Sequence, residues 1–405
     1  MRTEMNTLLP ISLLPIEVLC KIFAIAAAID PMIVSTLRYY PLSARRKIGW
    51  IKVSHVCRSW REAALGCPTL WTNVPLHGGA FWRNAFLARS RAAAIDVTAP
   101  KVDREWYSVS TILSEHLHRV RKLSASIQNQ NDLGFLSSPA PLLEHSDIDC
   151  FNNGSLFSGH APRLTSVSIS QPPAFPVHPT LYANVYKFAI NRDISDRDTF
   201  LIPSSMSRIT DLQLNGCLPA VPGPPWPEHT LHLPHLSHLE LKGPIAHVSG
   251  VLDQVRLSQL CTLRVVCEMA NDNMMDVHDV PPFLRALPRE AFVVRALSVS
   301  SHAQDCLEVN AWPTPHCVDE NSLFSLSFQW PEGQSGSHSV VGKLVCQSVP
   351  LDELEVLAVH SLLLGWTPEI WKTIFDRLSP KVIRTRSSSR PFPASPPSTS
   401  TSTHP

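Results

Sequence analysis

From Leu14 to Ile29 the apolar residues Val18, Leu19, Ile22, Phe23, Ile25 and Ala26 step by three and four. Two stripes therefore nearly encircle one predicted helix, with Glu17 and Lys21 as its charges. Pro15 suits the first helical position, Glu17 complements the positive end of the helix dipole, and Asp30-Pro31 stops the helix. After Arg45-Arg46-Lys47, which reads as a short solvated loop, the pattern resumes. From Ile51 to Ala64 the positions Val53, Val56, Cys57, Trp60 and Ala63 or Ala64 predict one amphipathic helix, with Lys52, His55, Arg58, Arg61 and Glu62 opposite. Gly66-Cys67-Pro68 closes it, and Pro68 to Trp71 predicts one further turn ending on a large aromatic. A unit this small rarely holds a sufficient core alone, so a partner must cover one face.

Beyond Pro75 a different rhythm appears, an apolar phrase L-x-x-L-x-L with aliphatic substitutions. Its copies are Val120-Leu123-Ala125, Leu143-Ser146-Ile148, Leu164-Val167-Ile169, Val185-Phe188-Ile190 and Ile209-Leu212-Leu214. They continue as Leu236-Leu239-Leu241, Leu260-Leu263-Val265, Val294-Leu297-Val299, Leu323-Leu326-Phe328 and Leu354-Leu357-Val359. Starts fall about 21 to 34 residues apart, tighter early than late, against a leucine-rich-repeat period of ~20 to 29. The last two apolar positions of each phrase share one face of a short strand, so stacked copies predict a parallel sheet over one continuous core. The phrases resemble degenerate leucine-rich repeats, with Ala125 and Ser146 standing in apolar slots. The competing reading is a set of unrelated strands in a sandwich or α/β domain. A last helix is predicted from Trp366 to Leu378, with Ile370, Trp371, Ile374, Phe375 and Leu378 as its stripe. A Ser/Pro/Thr tail from Lys381 to Pro405 cannot build a core and is expected to be disordered. Either a poor final strand caps the array there or the array is truncated.

Composition narrows the partners. Lys and Arg number 35 against 34 Asp and Glu, so no global field draws nucleic acid or an anionic membrane. Thirty-six prolines against fifteen glycines imply many stiff connections. Ten scattered cysteines without a Cys-x-x-Cys pair read as reduced, mostly buried thiols. A signal peptide or membrane anchor over Leu8 to Ile29 is opposed by Pro10 and Pro15, and by Glu17 and Lys21, each costing about 2.5 to 3.5 kcal/mol near a bilayer centre. No Gly-rich phosphate loop, G-x-S-x-G elbow or H-E-x-x-H helix occurs. His229, His232, His235 and His238 are spaced by three, but Pro234 and the approach to a strand oppose one tetrahedral metal set. No metal, cofactor or catalytic residue is assigned. Trp226, in the stiff segment Val221 to Pro227, is the weak candidate for target contact.

Leu14-Pro15-Ile16-Glu17-Val18-Leu19, Ile22-Phe23, Val53-Ser54-x-Val56-Cys57-Arg58-x-Trp60-Arg61-x-Ala63 and Leu70-Trp71 together closely resemble the F-box. Gly49-Trp50-Ile51 and Ala64 to Trp71 also match the F-box-like variant abundant in mushroom-forming fungi. The resemblance implies binding to the Skp adaptor of a cullin-RING ubiquitin ligase. It assigns adaptor contact to Leu14, Pro15, Val18, Leu19, Ile22 and Phe23, with Val53, Val56, Cys57 and Trp60 shared between the module's core and the interface. The stretch from Ala24 to Lys47 is longer than in a compact F-box and carries no transferred contacts. The expected organisation is a lead over 1–12, an F-box-like module over 13–75, an irregular leucine-rich-repeat solenoid over 76–380, and the tail over 381–405. The function implied is a non-catalytic, cytoplasmic or nuclear substrate receptor of an SCF-type ligase. The alternatives are an F-box interaction protein working outside the ligase, and an unrecognised enzyme in the C-terminal region.

Overall fold

The computed structural model describes residues 10–34, 46–76, 79–98, 106–127, 134, 136–150, 156–170, 180–191, 206–218, 231–256, 261–269, 275–286, 293–303, 306–315, 322–331, 338–349 and 352–360, with isolated positions 368, 372 and 376. Trp226, His229, Leu260, the 381–405 tail and most of the predicted 366–378 helix lie outside the described residues. The chain forms two compact units, Met1–Gln213 and Leu214–Pro405.

The first unit opens with α1 (Ile16–Ile29), whose N-terminal flank is Pro15 and whose C-terminal cap is Asp30. Two short strands, β1 (Ile33–Val34) and β2 (Arg46–Lys47), then pair antiparallel. The single helix expected over Ile51 to Ala64 is in fact two pieces, a 3-10 segment Gly49–His55 and α2 (Arg58–Gly66). Two local side-chain bonds account for the break. Ser54 Oγ donates to the Ile51 carbonyl at 2.8 Å, competing for a helical acceptor. Cys57 sits in extended backbone, and its Sγ accepts from Trp60 N at 3.5 Å as an N-cap. The predicted turn Pro68–Trp71 follows as a 3-10 segment.

β3 (Asn73–Pro75) leads through α3 (Gly79–Ser90) to β4 (Ile95–Thr98), and through α4 (Trp106–His116) to β5 (Val120–Ile127). β6 (His145–Cys150), β7 (Ser166–Ser170), β8 (Lys187–Asn191) and β9 (Asp211–Asn215) continue the series in chain order. Each neighbouring pair from β3 to β8 is parallel. The residue just before a strand repeatedly bonds to its counterpart before the neighbouring strand. Thr165 N donates to the Glu144 carbonyl at 2.9 Å, Tyr186 N to that of Thr165 at 3.0 Å and Thr210 N to that of Tyr186 at 2.8 Å. The hydroxyls of Thr165 and Thr210 donate to the same carbonyls of Glu144 and Tyr186. The inward positions Leu123, Ala125, Ser146, Ile148, Val167, Ile169, Phe188 and Ile190 are buried, so the two substituted slots face the same interior.

In the second unit, β10 (Leu231–His232) pairs parallel with β12 (Val255–Arg256). Between them run β11 (His238–Pro244) and α5 (Ile245–Leu252). The series continues with β13 (Thr262–Glu268), α6 (Met275–Ala286), β14 (Ala296–Ala303), β15 (Cys306–Trp312), β16 (Phe324–Gln329), α7 (His338–Ser348) and β17 (Val356–His360). The parallel array in chain order that the sequence predicts does not hold here. The order is β11-β13-β16-β15-β14-β17, with β15 antiparallel to both neighbours. β14 and β15 form an antiparallel hairpin that turns the chain back, so β16 takes the place beside β13. The sheet is mixed, and the described residues of all ten phrases still lie on a strand or lead into one.

Candidate functional site

The N-terminal module is held by an aromatic core. Trp50, Trp71 and Phe86 form a triangle with ring centroids 5.1, 4.8 and 6.5 Å apart, all steeply inclined. Trp71 donates its indole N–H to the Ala64 carbonyl at 2.9 Å, and the Arg89 guanidinium lies 4.4 Å above its ring. Leu19, Phe23, Ile51, Ala63, Ala64 and Leu70 complete the buried cluster. Phe23 meets Trp60 at 5.2 Å. Phe86 and Arg89 belong to α3, so the first helix beyond the module supplies part of its core.

The helix α1 carries two stripes that do different work. Leu19 and Phe23 point inward, with Ala26 and Ala27 packed partly against the same cluster. Val18, Ile22, Ile25 and Ile29 follow at steps of four, three and four and stand outward, Ile25 at 61% and Ile29 at 79% exposure. Leu13, at 79% in the 3-10 segment that precedes the helix, and Ile16, Ile48 and Val56 add exposed aliphatic surface on the same module. Glu17 and Lys21 occupy the remaining side of the helix. So many large aliphatic side chains exposed within one small module are the mark of an interaction surface rather than of scattered surface residues.

The expected contact residues divide accordingly. Pro15, Val18, Ile22 and Val56 are exposed, Val56 at 59% because the break at Cys57 turns it out of the stripe. Leu14, Val53 and Trp60 are half-buried against the aromatic cluster, and Cys57 is a helix cap. Leu19 and Phe23 are internal, Phe23 at 0% exposure, so neither side chain offers surface to a partner. Leu13, Ile25 and Ile29 were absent from the expected set; the signal for two of them was continuation of the Ile22 spacing by three and by four.

Electrostatics at this face are mild. Lys52 pairs with Asp30 at 3.3 Å, joining the 3-10 segment to the end of α1, and Arg58 pairs with Glu62 at 3.0 Å along α2. Both pairs are exposed and contribute little. Burial pushes the Cys20 thiol up to about 11, assisted by the neighbouring Cys67. Cys20, Cys57 and Cys67 of this module are free thiols, as are Cys217, Cys261, Cys267, Cys306 and Cys346.

Residues 11–77 match the F-box-like family model. This segment is an F-box-like domain. Its span covers α1, the 3-10 segment, α2 and β3, so the outward stripe of α1 lies inside the domain. F-box-like domains are protein-interaction modules that generally bind Skp-type adaptors. No curated protein matches the chain. Among the described residues, no helix is long and apolar enough to cross a membrane, and no group of three or more His, Cys, Asp or Glu side chains could hold a metal ion. Of the four spaced histidines, His238 uses Nδ1 against Thr262 Oγ1 at 2.8 Å, and that hydroxyl donates to the Ser237 carbonyl. A threonine hydroxyl so engaged has no proton to surrender to His238, which opposes a nucleophile–base pair there.

Proposed function

We propose that this chain is a non-catalytic substrate-recognition subunit of an SCF-type cullin-RING ubiquitin ligase, working in the cytoplasm or nucleus. The observation that carries the reading is the outward aliphatic stripe Val18, Ile22, Ile25 and Ile29 within the F-box-like domain. Covering these side chains would release about 1 to 2 kcal/mol each, because part of each is already shielded. The adaptor-contact set is therefore redrawn as Leu13, Pro15, Val18, Ile22, Ile25, Ile29 and Val56, with Leu19, Phe23 and Trp60 acting from beneath as supports. The sheet region, read as degenerate leucine-rich repeats, holds the target. Free thiols suit a reducing compartment. Catalysis resides in the charged enzyme delivered by the scaffold, and this chain contributes effective concentration.

Pull-down of the co-expressed Skp-type adaptor tests the reading. Ile22→Asp is expected to weaken adaptor binding at least about tenfold while leaving the melting temperature unchanged within about 2 °C. Retained adaptor binding by Ile22→Asp would overturn the interface. Co-purification of cullin with the adaptor separates ligase assembly from an adaptor-bound role outside it.

A further inference from the structure

The first unit carries an open groove of about 800 Å³ across the N-terminal ends of β6, β7 and β8 and the turn before β9. Its rim is built from equivalent positions in successive turns, Arg163, Asn184 and Arg208. Asn184 Nδ2 donates to the Pro162 carbonyl at 2.9 Å, and Arg208 Nη1 donates to Asn184 Oδ1 at 3.2 Å, so one turn is tied to the next. Thr165 and Tyr186 line the groove between the two arginines. Both guanidinium groups are exposed, and neither has an ion-pair partner among the described residues. Among the described residues the groove is lined by one carboxylate, Glu144, against the two rim arginines; Arg121 nearby is paired instead with Asp96, by two hydrogen bonds at 3.0 and 2.8 Å. Two guanidinium groups face one carboxylate, which leaves an excess of positive charge at the rim, and Arg208 keeps fork-shaped donors beyond the one given to Asn184.

Their spacing specifies the ligand. Arg163 precedes β7 and Arg208 precedes β9, two strand steps of about 4.8 Å each, or roughly 9.6 Å. A polyproline-type chain rises about 3.1 Å per residue, so three residues cover about 9.3 Å. We infer that this groove binds an extended acidic protein segment carrying carboxylates three residues apart, one on each rim arginine, with the intervening residues over Tyr186. The inference deepens the reading of the sheet region as the target-holding part, and its physical basis does not involve the adaptor.

The test uses the full chain and a fluorescein-labelled peptide of four Glu-Pro-Pro repeats, read by fluorescence anisotropy. Saturable binding is expected at low ionic strength and should weaken as salt rises toward about 0.5 M. Arg163→Gln and Arg208→Gln should each weaken binding about 2- to 5-fold, and the double variant roughly 5- to 20-fold, with Arg285→Gln without effect. The matching Gln-Pro-Pro peptide, and a peptide of the same composition with its glutamates contiguous, should bind more weakly. Absence of saturable binding up to about 1 mM overturns the inference. So does a double variant that binds like the parent, equal binding of the Gln-Pro-Pro peptide, or tighter binding of a single-stranded oligonucleotide of the same charge. Ile22→Asp keeps the two readings apart: it should lose the adaptor and retain the peptide.

Discussion

Single residues set the geometry of the F-box-like domain through contacts that sequence neighbours do not reveal. Gly49 has φ +54°, and a Cβ there would lie 2.5 Å from the carbonyl oxygens of both Asp30 and Pro31. The left-handed backbone costs an L-residue about 1 to 2 kcal/mol, and the clash is with backbone, which cannot swing aside. Gly49→Ala is expected to destabilise the domain by at least about 2 kcal/mol, visible as a lowered melting temperature. Phe23→Ala should cost about 3 to 5 kcal/mol, since the ring is enclosed by the aromatic cluster. Comparing Phe23→Ala with Ile22→Asp distinguishes a folding residue from a surface residue one position away. Arg119, in the 3-10 turn that leads into β5, is a second such residue. Its buried guanidinium donates to Ser90 Oγ and to the carbonyls of Leu87, Arg91 and Ala93, closing the C-terminal end of α3. Burial holds its pKa below the ordinary value, and the partners that meet the charge are a hydroxyl and backbone carbonyls. Arg119→Met should destabilise the chain by about 2 to 4 kcal/mol in thermal or urea unfolding, because several carbonyls lose their donor together. Nothing in the spacing of apolar residues marks Gly49 or Arg119 for these roles.

At the scale of elements, periodicity was readable wherever a strand or helix buries one clear face. Both stripes of α1 could be traced from the spacing, but not which stripe faces inward: that choice depends on Trp60 and Trp71 arriving from later segments. The second helix was misread as continuous because an apolar stripe with steps of three and four does not register a Cys cap or a Ser54 hydroxyl bonded back to Ile51. β15 escaped because its phrase begins on the polar Gln304, although Leu307, Val309 and Ala311 alternate inward as a strand should. Two earlier copies were also legible in retrospect. Trp71-Val74-Leu76 and Ala92-Ile95-Val97 have the same spacing, and β3 and β4 follow from them. The end of α4 carries a pH dependence. Burial, with Arg119 next in effect, lowers the His116 pKa from its ordinary 6.5, so folding favours the neutral ring. Its contribution is complete above about pH 6.5 and is lost as pH falls below that value toward the folded pKa. His116→Asn should flatten the acid side of the stability profile measured by urea unfolding between pH 7 and pH 5, each about half a unit apart.

For the molecule as a whole, the F-box-like domain is not a self-sufficient piece. Phe86 and Arg89 of α3 close over Trp71 and Trp50, so a fragment ending at residue 77 uncovers a large aromatic surface. A fragment of residues 1–98 should melt higher and aggregate less than one of residues 1–77, by circular dichroism and light scattering; equal stability would show that the α3 contacts add nothing. The amino-acid sequence by itself determined the F-box-like segment, the outward and inward stripes as a pair, and ten strand-forming phrases, because each is a local pattern of apolar spacing. Only the tertiary structure decided which stripe is exposed, that β16 rather than β14 lies beside β13, and that Arg163 and Arg208 line one groove. Those outcomes depend on strand order and on contacts between residues far apart in the chain, which the spacing of neighbours along it does not encode.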